Sequence, residues 1–323
     1  MGQRMSHERR IVRTIGAAVM FAALLLPMRA SLAWGPGAHR VIALIADRVL
    51  QQTDPGARAK VLALLATDKE DRLAKPDIAS QATWADLLRD KSEEARIATT
   101  AWHSTRLNPD HPDLGTACFG RKPLPDGYPA SHGPRDNCSV DKIEQFESEL
   151  KNPETSPGEK LAALRFLLSL VGDLHDPLHA IDRADQGGEC IALQIGSKPP
   201  VRLSTYWEDT LPGEVAGPDP AKGAARIAAS LPAAESQKWA EGNPEAWAQE
   251  TYEVAKTVTY SFAAGQPEGK HSFPGKKGQT ETCPSVDIYR VGPDYETKAL
   301  DAVKQQFAKA GVRLAFMLRD GFK

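Results

Sequence analysis

Behind its first 33 residues this chain has no apolar run long enough to cross a bilayer, no basic excess, no internal repeat and no clustered cysteines. Each absence removes a class of protein. A spanning helix needs about 20 mostly apolar residues, so stable membrane association is not expected. The whole chain holds 40 Lys and Arg against 42 Asp and Glu. Residues 1–33 carry five Arg and one Glu, which leaves 35 basic against 41 acidic residues from Trp34 onward. A protein that coats duplex DNA would show a basic stripe instead, although a phosphate group held by metal ions stays compatible with this charge. The four cysteines, Cys118, Cys138, Cys190 and Cys283, lack the spacing of a four-cysteine zinc site.

What is present begins at the N-terminus. Arg4, Arg9, Arg10 and Arg13 precede an apolar stretch over Ile15–Leu26, and Ser31-Leu32-Ala33 follows as a small-x-small cleavage site. This is the pattern of a secretory signal. The stretch is short for a membrane span, and an uncleaved anchor is the competing reading. Cleavage after Ala33 makes Trp34 a free α-amine and leaves one domain, residues 34–323, in the periplasm or secreted. An even cysteine count in an exported chain points to disulfides. Of three possible pairings, Cys118–Cys138 is favoured because it closes the Pro/Gly-rich loop between them, which leaves Cys190–Cys283.

Helical periodicity dominates the rest. Apolar faces run through Val41, Ile42, Leu44, Ile45 and Val49; through Val140, Ile143, Phe146 and Leu150; and through Leu161, Leu164, Leu168 and Val171. Trp247–Phe262 and Tyr295–Leu318 read as two further long helices. Only Ile191–Ile195 and Val201–Leu203 look like strands, at most a small β-hairpin. Residues 106–137, 212–222 and 265–293 read as loops from their Pro, Gly and polar content. The fold class is therefore mainly α, a single helical domain.

The densest chemistry lies at 172–188, where Asp173, His175 and His179 crowd a helix end that Pro177 terminates. Such residues bind zinc through carboxylate oxygen and imidazole nitrogen. Trp34, His39, Asp86 and His103 are further ligand types beside apolar helix faces. Each has an ordinary alternative: Asp86 and Arg89 suit an i,i+3 ion pair, and His103 beside Trp102 suits a satisfied core histidine.

In Trp34-Gly35 with His39, Trp84-Ala-Asp-x-x-Arg89, Trp102-His103, Gly172-Asp-Leu-His-x-Pro-Leu-His179 with Asp185-x-Gly-Gly, and Trp207-Glu208, the chain resembles the single-strand-specific nucleases of fungi and plants, the S1/P1 nuclease family. That family shares its fold with zinc phospholipases C. The resemblance runs from Trp34 to about Leu318. It implies up to three zinc ions, two of them a close pair sharing an aspartate, and hydrolysis of single-stranded DNA, RNA or nucleotides, including 3'-nucleotidase action. By position, Asp86 and His103 belong to one ion of the pair, Trp34 and His39 to the other, and Asp173 to both. His179 and Glu208 fall to the third ion, and Arg89 to the phosphate, which makes Asp86, Arg89 and Asp173 the catalytic set.

Two positions depart from the family pattern. Ser169 stands where a histidine lies one helical turn before the shared aspartate, and Ser204 stands where a histidine precedes the Trp-acid pair. A neutral hydroxyl is a poor zinc ligand beside imidazole. On this reading the third ion keeps only His179 and Glu208, and two ions or fewer bind tightly. Glu189 adds negative charge nearby. A catalytically degenerate exported binding protein of the same fold, or a phospholipase C-like hydrolase of lipid head groups, are the alternatives.

Overall fold

Pro36–Thr53 forms helix α1, opened by Pro36, whose missing N–H would have had no partner in a first turn anyway. Its buried face is Ala38, His39, Val41, Ile42, Ala43, Ile45, Ala46 and Leu50, so the sequence's apolar stripe is the core face and His39 sits on it. The computed structural model describes residues 34–68, 73–274 and 283–323. The signal and its cleavage site at 1–33, and the middle of the 265–293 stretch, lie outside the described residues.

Helix α2 (Trp84–Lys91) carries Asp86 and Arg89, helix α3 (Ser139–Lys151) carries Lys142, and helix α4 (Pro157–Leu174) carries Ser169 and Asp173. From Ala163 to Leu174 every residue of α4 is buried, which makes it a central helix with neighbours all round. It ends at His175. Asp176 then caps the single turn α5 (Pro177–Ala180) by accepting from the Leu178 N–H at 2.9 Å. The two long C-terminal helices are α6 (Pro244–Val254), which continues as a π-helical turn over Ala255–Thr259, and α7 (Pro293–Gly321). α7 packs along α1. They approach so closely at Gly311 that an added Cβ would stand 2.4 Å from Ile45 Cγ2.

The β content exceeds a hairpin. β1 (Ile191–Ile195) pairs antiparallel with β2 (Val201–Arg202), as expected, but also parallel with β4 (Val286–Val291), which carries β3 (Gly269–His271) on its far side. The sheet order is β2-β1-β4-β3. Two strands thus fall in 265–293, which had read as loop. Both are short, and β4 is completed by a partner distant in sequence, which local pattern cannot reveal. Cys190–Cys283 (Cα–Cα 5.2 Å) ties the starts of β1 and β4 together, and Cys118–Cys138 (4.8 Å) closes the other loop. Residues 212–222 are also not plain loop: Leu211–Ala216 and Pro220–Ala229 are helices separated by Gly217 at φ 72°. Pro212 and Pro220 sit in first turns, where proline is tolerated. The result is a mainly α domain with one small sheet. Among the described residues no helix is long and apolar enough to cross a membrane.

Candidate metal centre

α4 delivers Asp173, fully buried, to the point where α1, α2 and the Trp102-His103 turn converge. Its Oδ2 lies 2.7 Å from His103 Nδ1 and its Oδ1 lies 3.3 Å from His39 Nε2. His39 Nε2 is in turn 3.8 Å from Asp86 Oδ2, and Asp86 Oδ1 receives the Arg89 Nη1 donor at 3.3 Å. The ring of His39 reaches this place because residue 172 is glycine. A Cβ there would lie 2.9 Å from His39 Nδ1.

Electrostatics tighten the group. Burial opposes ionisation of Asp173, but His39 and His103 outweigh it and hold this carboxyl well below its ordinary value. Burial likewise opposes the imidazolium of His39, yet the charges of Asp173, Asp86 and Asp176 raise it to about 9. Several polar atoms are buried without a hydrogen-bond partner: His39 Nδ1 and Nε2, His103 Nε2, Asp173 Oδ1, Arg89 Nε and Nη2, and Ser169 Oγ. Such atoms cost stability unless something binds them. Here they are imidazole nitrogens, a carboxylate oxygen, a hydroxyl and a guanidinium: the nitrogens and carboxylate are of the types that can hold a metal ion, and the guanidinium is of the type that can meet an anion.

A second group adjoins the first. His179 Nδ1 donates to the His103 carbonyl at 2.6 Å, which leaves Nε2 as the bare lone pair, and burial lowers this imidazole to about 3. Its Nε2 is 4.0 Å from Glu208 Oε1. The Gly35 N–H donates to the Glu208 carbonyl at 3.1 Å, so Trp34-Gly35 lies beside this group. The Trp34 indole is buried edge-on against Phe307. The structure adds a residue that sequence reading missed. Ligand atoms of Asp176, His179 and Glu208 all lie within 4.8 Å of one another, and all three residues are buried. Burial, with the nearby Asp173 charge, pushes the Asp176 carboxyl up to about 8. The available signal was the i,i+3 spacing of Asp176 and His179, which puts two side chains on one helical face.

Other expectations resolve differently. His175 is not part of the centre: its Nδ1 bonds the Val171 carbonyl, its Nε2 accepts from Arg313, and burial with the Arg313 charge lowers it to about 3. Ser204 Oγ donates to Glu189 Oε1 at 2.7 Å, and Glu189 also faces Arg202 at 3.6 Å, so its charge is partly balanced. Trp84, Trp102, Tyr206 and Trp207 are all buried and offer no face on which a base could stack. Cys118, Cys138 and Asp141 also lie together, but the two sulfurs are joined.

The S1/P1 nuclease family model matches residues 34–323 of the chain. Endonuclease 4 and Endonuclease 2 of Arabidopsis thaliana are 22% and 24% identical to it over 293 and 291 residues. These alignments cover 89% and 88% of this chain and 89% of each plant protein. Nuclease S1 of Aspergillus oryzae is 25% identical over 197 residues, and the chain spans 60% of that protein's length and 61% of its own in the match.

Proposed function

Because the chain belongs to the S1/P1 nuclease family, we propose that it is a zinc-dependent phosphodiester hydrolase that cuts single-stranded DNA or RNA and acts on 3'-nucleotides. The observation that carries this reading is Asp173, which turns one carboxylate oxygen toward His103 and the other toward His39. A ligand shared by two cations needs that divergence. In this reading Asp86 and His103 hold one ion with Asp173, and His39 with the Trp34 amine and carbonyl hold the second. His179 and Glu208 serve a third. Four buried or half-buried carboxylates, Asp86, Asp173, Asp176 and Glu208, lie in these two groups, with Arg89 beside Asp86 and the charge of Arg106 bearing on Asp176, and the excess of buried carboxylates calls for cations.

Zinc, when bound, supplies Lewis acidity toward a phosphoryl oxygen and acidifies a water to a pKa of roughly 7. The chain's own residues do the rest. Asp86 orients Arg89 through Nη1, leaving Nε and Nη2 to receive phosphate oxygens and to stabilise charge as it builds in the transition state. Asp173 fixes the spacing of the two imidazoles. Ser169, a buried hydroxyl one turn before Asp173, offers a weaker donor than an imidazole would and lowers activity. The protein works outside the cytoplasm, with residues 1–33 removed and both disulfides formed.

The test is zinc content together with digestion of single-stranded DNA by the chain beginning at Trp34. Asp173→Asn should lose zinc and at least about 100-fold in activity, beyond the loss typical of partners that merely orient ligands. Arg89→Ala should keep its zinc and lose turnover. Wild-type protein that holds zinc but leaves DNA and RNA intact would instead be the degenerate binding protein, or a head-group hydrolase if it cleaves phospholipid.

A further inference from the structure

Ser204 leaves the His179–Glu208 site one imidazole short, and the fold brings Asp176 to the same place. We propose that Asp176 is a direct ligand of the cation at this site, so that a carboxylate from the helix-end turn takes over the work that Ser204 cannot do. The inference rests on the metal-hydrolase reading and concerns only its third site.

Three observations meet here. Asp176 Oδ1 is tied to the Leu178 N–H at 2.9 Å, while Oδ2 is buried with no hydrogen-bond partner. His179 is fixed by its Nδ1 bond to the His103 carbonyl, which aims an unpartnered Nε2 into the same space. A histidine held this way through one nitrogen is set to ligate through the other. The third is proximity: ligand atoms of Asp176, His179 and Glu208 lie within 4.8 Å of one another. Donor atoms on a single tetrahedral zinc are about 3.3–3.6 Å apart, given bonds of about 2.0–2.2 Å, so small side-chain rotations close the set. Ser204 does not compete for the position, since its hydroxyl is committed to Glu189. With a cation bound, the two carboxylates and one neutral imidazole carry charge −2, which the divalent cation offsets together with the charge of nearby Arg106. This oxygen-rich set is harder than one with two imidazoles and should take manganese more readily beside zinc.

Asp176 also caps α5, and the variants are chosen to separate capping from ligation. Asn caps as well as Asp, so Asp176→Asn keeps the turn and removes only the anionic ligand oxygen. The zinc-loaded chain beginning at Trp34, freed of excess metal, should hold one zinc fewer in Asp176→Asn than in wild type. The loss should equal that in His179→Ala, while the melting temperature in chelator matches wild type. Ser204→His supplies an independent arm that does not depend on how Asp176→Asn folds. With the site already complete, added imidazole should leave the zinc count unchanged. A gain of one zinc in Ser204→His, or wild-type zinc in Asp176→Asn, would overturn the assignment. Wild-type protein that binds no zinc at all would instead sink the metal-hydrolase reading beneath it.

Discussion

At the scale of single residues, the centre depends on what is absent from side chains as much as on the ligands. Gly172 precedes Asp173 and faces the ring of His39, and the 2.9 Å clearance to Nδ1 leaves no room for a methyl. Gly172→Ala would gain about 1 kcal/mol of helix propensity. Overpacking a buried contact costs about 1–3 kcal/mol, so the net effect should be destabilising. A displaced ring would disturb its 3.3 Å approach to Asp173. We therefore expect Gly172→Ala to lower the melting temperature and to weaken zinc binding by about 10-fold, the low end of losses seen when a ligand's orientation is disturbed. A zinc titration with thermal melts checks this, and unchanged affinity would mean that His39 is not held by this contact. Ser169 is the complementary case: a small side chain one turn before Asp173 whose buried hydroxyl meets no partner.

At the scale of elements, helix α3 anchors the long disulfide-closed loop, and Lys142 is the pin. Its ammonium donates to the Ala130 carbonyl and to Gln145 Oε1, and it lies 4.0 Å above the Trp102 ring, the neighbour of His103. Burial pulls this lysine down to about 7, against the opposing charges of Glu159, Asp141 and Glu149. In the unfolded chain it titrates near 10.5. Between those values the unfolded state binds more protons than the folded one, so stability rises with pH across this window and is lost as pH falls through it. Relative to Lys142→Met, wild type should gain on the order of a few kcal/mol between pH 7 and pH 10. Denaturant unfolding of both proteins at the two pH values measures it; parallel curves would show that the ammonium is not desolvated in the folded state.

At the scale of the whole molecule, the proposed function would couple export to chemistry through Trp34. The Trp34-Gly35 segment is fixed on two sides, by the Trp34 indole against Phe307 of α7 and by the Gly35 N–H on the Glu208 carbonyl. Its backbone therefore lies at a defined place beside the ligand cluster. If the α-amine is a ligand, a chain retaining Ala33 presents an amide there and cannot chelate. Protein with one residue before Trp34 should hold less zinc and cut single-stranded DNA more slowly than the chain beginning at Trp34, by at least about 10-fold. Equal zinc content in the two forms would remove the N-terminal ligand from the mechanism.

The sequence alone determined most of the frame, because helices announce themselves through local periodicity. The apolar faces of α1 and α4, the helix end before Pro177 and the favoured pairing of Cys118 with Cys138, one of three that the sequence allows, were readable from spacing and composition. The placing of His39 on the α1 core face and the burial of α4 on all sides came from packing. The tertiary structure decided what depends on partners far along the chain. β4 is a strand because β1 lies beside it, and the loop reading of 212–222 gave way to two helices whose prolines sit in first turns. His175 and Asp176, one residue apart, have opposite fates for the same reason. Arg313 of α7 satisfies His175, whereas Asp176 is turned toward His179 and Glu208 with an oxygen left bare. A sequence supplies the donor atoms, but only packing sets which of them already have a partner.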